Sequence, residues 1–166
     1  MKKANLSALA AVAVMGLGSA ALAQTTADYE SGHGALQVFD EAGIEAAPQW
    51  VKIWLMIMLG TFAASLLFVW RHPIAILPVA GILASFFLTS KIFDALGLPY
   101  LSGAIAIGHI VFWTPALVVL LLRRPFLDGS QGVLFRLWSA AMTAVIMFSF
   151  VFDIRDAAIY LAHVMG

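Results

Sequence analysis

His109 stands in an uncharged stretch of this 166-residue chain: nothing between Asp94 and Arg123 carries a formal charge, and the imidazole lies within Gly108-His109-Ile110-Val111-Phe112-Trp113-Thr114-Pro115. An ionisable side chain in a lipid-spanning segment defaults to a functional role. An imidazole there can line a path for an ion or proton, or ligate haem iron. The plainer reading is a neutral ring that hydrogen-bonds Thr89, Ser149 or a carbonyl freed by Pro115 and so fixes helix packing. That reading is preferred, because neutral His is far cheaper in lipid than a carboxylate and no second buried titratable group is expected beside it. Distance restricts haem: about 14 residues separate His109 from the end of its helix, roughly 21 Å of rise, so His72 beyond that end cannot share its iron within one chain. Two copies of His109 in a symmetric dimer could.

A second candidate lies near the C-terminus, where Asp153, Asp156, Tyr160 and His163 follow one another at i, i+3, i+7 and i+10. That spacing places all four on one face of a helix. Asp153, Asp156 and His163 form a candidate metal set, two carboxylates and an imidazole suiting a divalent ion. The alternative is an interfacial helix whose polar face looks to water while Ile154, Ala158 and Leu161 look to lipid. One helical face rarely completes a coordination shell, which favours the second reading. Arg155 offsets the acids or pairs with Asp94 or an acid of the N-terminal arm.

Enzyme motifs are missing. The chain has no Gly-x-Ser-x-Gly elbow, no His-Glu-x-x-His pair and no glycine-rich phosphate loop, so nothing points to the nucleophile, metal-hydrolase or nucleotide chemistry that those motifs build. Cysteine is absent, which excludes disulfides, thiolate metal sites and acylation at a mature first Cys.

The elements that must position these residues are apolar. With 63% hydrophobic and 11% charged residues and a mean hydropathy of +0.98, the chain cannot present an adequately polar surface to water as a globule. Lys2 and Lys3, the apolar Leu6 to Gly16 and the small-x-small Ala21-Leu22-Ala23 read as a signal peptide over residues 1–23, cleaved before Gln24. Residues 24–50 form an external acidic arm, with Asp28, Glu30, Asp40, Glu41 and Glu45 and no basic residue before Lys52. The spacing of Leu36, Phe39 and Ile44 predicts a short helix over 35–46.

Four runs then approach the ~20 residues needed to cross ~30 Å of hydrocarbon: 51–70, 74–93, 101–122 and 133–152. Residues 153–166 read as an interfacial tail. Lys91 and Arg136 fall near helix ends, where their side chains snorkel, so no charge is expected deep in the bilayer. The links, at Arg71-His72-Pro73, Leu96 to Pro99 and Arg124 to Gly132, carry turn residues. Links this short make sequential helices neighbours, predicting an all-α, four-transmembrane-helix up-down bundle in one domain. Small residues four apart occur in each span, at Gly60/Ala64, Gly81/Ser85, Ala104/Gly108 and Ala140/Ala144, spacing that lets helices approach closely in lipid.

The exported arm, with Arg71, Arg123, Arg124 and Arg136 on the opposite side, predicts a bacterial inner-membrane protein whose mature termini are both periplasmic. Without Lys2 and Lys3 the mature chain has a slight acidic excess and no footprint for nucleic acid. The expected partners are the bilayer and either another membrane protein or further copies of the chain. The functional expectation is a non-enzymatic accessory or assembly subunit of a membrane complex, with no cofactor. The runner-up is a small oligomeric transporter or channel with His109 lining the path, and a haem-binding redox subunit comes third.

Overall fold

The computed structural model describes residues 29–166. The expected signal peptide, residues 1–23, lies outside the described residues. Within them the chain is helical, with four helices long and apolar enough to cross a membrane and no strand beyond an isolated Ser31–Val38 bridge.

α1, Glu41–Ala46, is a six-residue helix in the arm. It is shorter than the helix expected over 35–46, because Asp40 caps it: the Asp40 carboxylate accepts from the Gly43 amide at 2.9 Å and from the Ser31 hydroxyl at 2.7 Å. An aspartate at this position favours a helix start over helix continuation. Partial burial pushes against ionisation of Asp40, but the bonds from Gly43 and Ser31 outweigh it and hold the group below its ordinary carboxylate range.

α2, Gln49–Ala64, runs on through a 3-10 turn at Ser65–Leu67. The chain then reverses at His72, whose extended backbone suits a residue before proline. A second 3-10 turn, Pro73–Ala75, leads into α3, Ile76–Ala95. α3 ends in a glycine stop: Gly97 adopts φ +66°, the Leu98 amide reaches back to Phe93 O, and the Gly97 amide reaches Asp94 O. This pair of bonds satisfies carbonyls that the helix leaves free, and Leu98 folds onto the cluster that contains Phe93.

α4, Ser102–Arg123, has no side-chain cap. The arm caps it instead. Gln37 O accepts from the Ser102 amide at 2.9 Å and from the Ser102 hydroxyl at 2.9 Å, while Ala35 O accepts from the Gly103 amide at 2.8 Å. Two N–H groups that every helix start leaves unpaired are thereby satisfied, and the arm is fixed across the end of the bundle. α5, Val133–Met165, is one uninterrupted helix of 33 residues, about 50 Å long. The helix expected to continue beyond residue 152 does so, with no Gly or Pro until Gly166 to end it.

α4 is the centre of the packing, with α3 on one side and α5 on the other, and α2 rests mainly on α5. Two of the four small-residue pairs are used inside. Gly81 and Ser85 meet α4, and Gly108 lies against Thr89 of α3 so closely that an added Cβ would fall 2.7 Å from Thr89 Cγ2. Gly60, by contrast, has nothing within 4 Å of an added Cβ.

Two apolar clusters form the core. The larger gathers Met58, Phe62, Trp113, Ala116, Leu120, Phe135, Trp138 and Met142 toward the end marked by Arg71, Arg123 and Arg124. The smaller gathers Phe93, Leu101, Ala104 and Tyr160 beneath the arm. These are the arginine end and the arm end. Trp70 and Trp50, near the ends of α2, are 92% and 53% exposed, whereas burial pushes the Tyr100 hydroxyl up to about 12.

Candidate functional site

α4 carries His109 two turns past Ser102, about 10 Å from the start of the helix. α5 brings Asp153 to it: His109 Nδ1 lies 3.2 Å from Asp153 Oδ1, with the side chains 17% and 14% exposed. An ionised carboxylate can only accept, so with Asp153 in that form the shared proton belongs to Nδ1, and a neutral imidazole then carries its lone pair at Nε2. No described residue hydrogen-bonds Nε2.

Trp113, one turn further along α4, stacks on the imidazole with centroids 4.0 Å apart and planes 18° from parallel. Its own ring is buried and rests against Phe62 at 4.7 Å. Orientation of the imidazole is therefore fixed twice, by a carboxylate in its plane and by an indole against its face. Two buried polar atoms beside it have no partner, Asp153 Oδ2 and Trp113 Nε1. Buried polar groups without partners are uncommon and mark places where water or a bound group completes the bonding.

The pairing corrects two expectations. A second titratable group does accompany His109, and Asp153 is not in a tail beyond the bundle: it sits within α5, against the middle part of α4. Thr89 and Ser149, the partners expected for His109, do not bond it: Thr89 packs against Gly108 with its buried hydroxyl unpartnered, and the Ser149 hydroxyl points toward Met58 Sδ at 3.9 Å.

The expected metal row is on one face of α5, but its members face different neighbours. Asp153 binds His109. Asp156 lies 3.6 Å from Arg155, which takes the place of the expected Asp94 or arm partner of that arginine. The Tyr160 hydroxyl donates to Pro99 O at 2.8 Å, and His163 Nε2 shares a hydrogen bond with the Tyr29 hydroxyl at 3.0 Å. Among the described residues no three His, Asp or Glu side chains gather closely enough to hold a metal ion. Asp153, Asp156 and His163 are thus not one coordination shell. Their order does something else: it lays a line of polar groups along α5 from the buried pair toward the arm end, where exposure rises from 14% at Asp153 to 28% at Asp156.

A cofactor at His109 would bind through Nε2, the one ring nitrogen left open. His72, excluded on distance as a second ligand, is stacked on Phe135 at the arginine end, with ring centroids 3.6 Å apart.

Comparison of the chain with protein-family models, with curated proteins and with solved structures gives no match.

Proposed function

We propose that this chain is a small multi-pass accessory or assembly subunit of a bacterial inner-membrane complex. In this reading residues 1–23 are a cleaved signal peptide, the helices run up and down through the bilayer, and the arm and C-terminus face the periplasm. Short links and neighbouring contacts between successive helices support the up-down order, while the exported leader and the arginines of the opposite end support the orientation.

The observation that carries the choice of an accessory subunit over a conduit is the filling of the arginine half. Phe68, Phe135 and Trp138 stack on one another at 5.3 to 5.5 Å, and Met142, Leu120 and Ala116 close the space between them and Trp113. A transporter keeps polar groups or a cavity through the bilayer midplane. Here tight apolar packing fills the arginine half, and the polar pair lies on the arm-end side of it. The partner is another membrane protein, or further copies of the chain, held laterally in lipid.

The test is purification of the full chain in mild detergent through a C-terminal tag, with mass spectrometry of what accompanies it and an absorbance spectrum of the same sample. The proposal expects stoichiometric membrane-protein partners and a colourless chain. A lone oligomer that moves ions when reconstituted would replace it with the transporter reading, and a Soret band lost in His109→Ala would replace it with the haem reading.

A further inference from the structure

We propose that the His109–Asp153 pair is an intramembrane proton-binding site, served from the arm end along the polar face of α5 and closed toward the arginine end. The inference does not depend on the accessory reading, since a conduit and a subunit could each contain such a site.

Three independent observations converge on it. The first is the pair itself, two ionisable side chains brought together about 10 Å inside α4 by helices far apart in sequence; ionisable groups at that depth are rare and mark proton pathways when they are paired. The second is orientation. Asp153 in the ring plane and Trp113 against its face, at 4.0 Å, leave Nε2 as the only open nitrogen. Asp153 acts as a positioning residue: by accepting from Nδ1 it selects the tautomer that presents a lone pair at Nε2. The third is the pair of unpartnered buried atoms, Asp153 Oδ2 and Trp113 Nε1, which call for a hydrogen-bonding species such as water beside the ring.

The step is simple. A proton passes from hydronium at the arm end to His109 Nε2: an O–H bond breaks and its electron pair stays on the water released, an N–H bond forms at Nε2, and the Nδ1–H bond to Asp153 stays in place. Release reverses it. The titratable groups that face this route are few. On α5 they are Asp156 with Arg155 beside it, Tyr160 bonded to Pro99 O, and His163 bonded to Tyr29 of the arm. His33 of the arm lies within electrostatic reach of Asp156. Lys52 of α2 is turned away to Glu45 O, and Lys91 and Asp94 of α3 are exposed at the helix end. On the other side Trp113, Phe62 and the aromatic stack offer no titratable group before His72.

The experiment is nitrogen-15 magnetic resonance of histidine-labelled full chain, oriented in liposomes so that the two baths can be set independently. His109 is assigned by the signal lost in His109→Gln. As the arm-end bath is acidified, the His109 Nε2 signal should change from the lone-pair to the N–H type, and acidifying the arginine-end bath alone should leave it unchanged. Asp153→Leu, similar in size but with no acceptor, should abolish the Nδ1–H preference, and Asp156→Asn should slow exchange with the bath several-fold while leaving the tautomer intact. A His109 signal that follows neither bath, or that follows the arginine-end bath, overturns the proposal. So does an unchanged tautomer in a folded Asp153→Leu variant.

Discussion

At the arginine end, Phe62, Phe68, Phe135, Trp138 and Met142 meet through apolar surface, with the Trp138 indole donating to Thr61 O of α2 at 3.2 Å. At the arm end the contacts are directional: Ser102 and Gly103 amides to arm carbonyls, Tyr160 to Pro99, Tyr29 to His163, and His109 to Asp153. In lipid there is little hydrophobic drive between helices, so each end is held by what lipid cannot supply, close packing at one and satisfied polar groups at the other. The first kind of contact suits permanent cohesion. The second can be made and broken, and the half-buried His109–Asp153 pair is placed there.

Substitutions sharpen this contrast, beginning at the arginine end. Trp138→Ala removes a buried indole and its bond to Thr61, and is expected to cost about 3 kcal/mol in thermal unfolding in detergent. This is the low end for aromatic truncation, because transfer from water contributes little in lipid. His109→Ala leaves Asp153 without its partner and should cost about 2 kcal/mol, with the His109→Ala/Asp153→Ala double variant losing less than the sum of the singles. A double-variant loss equal to the sum would mean that the pair is not coupled.

Glycines give the next contrast. A Cβ on Gly103 would meet Tyr160 Cβ and lie 2.8 Å from Asp156 O, so Gly103→Ala should push α4 off α5 and cost about 1–2 kcal/mol. Gly60→Ala meets nothing and should leave the melting temperature unchanged or slightly raised. The smallest effects belong to the arm. Ser102→Ala loses the hydroxyl bond to Gln37 O, a loss of about 1 kcal/mol, best seen as faster amide exchange at Ser102 and Gly103. Because Asp40 is held below its ordinary carboxylate range, its contribution is complete above that range and disappears as pH falls through the lowered value. Acidification should therefore speed exchange of the Gly43 amide before it disturbs the spans, and Asp40→Ala should remove that pH response.

The difference between the ends also explains what the sequence made legible. Hydropathy reads apolar segments without regard to register, so the first three spans come out within about three residues of Gln49–Leu67, Pro73–Ala95 and Ser102–Arg123. The fourth run, 133–152, is the apolar part of the longer helix Val133–Met165, whose continuation carries Asp153, Arg155 and Asp156. His109 stands out by its isolation, but its partner does not. Equal rises from the Arg124–Gly132 link would set His109 opposite about residue 147 instead of 153. The link folds back beside the first turns of α5, where Arg136 Nε donates to Phe126 O at 3.4 Å, and shifts the register. The same blindness hid the arm's capping of α4, which depends on backbone carbonyls that any residue could supply.

The most direct test of a polar pocket at one end and a sealed core at the other is proton flux through liposomes containing the full chain, under an imposed pH gradient with a trapped pH dye. The sealed arginine half predicts the permeability of empty liposomes for the wild type and for Asp153→Asn alike. A steady wild-type flux that disappears in Asp153→Asn would contradict the account and make the pair part of a through-going path.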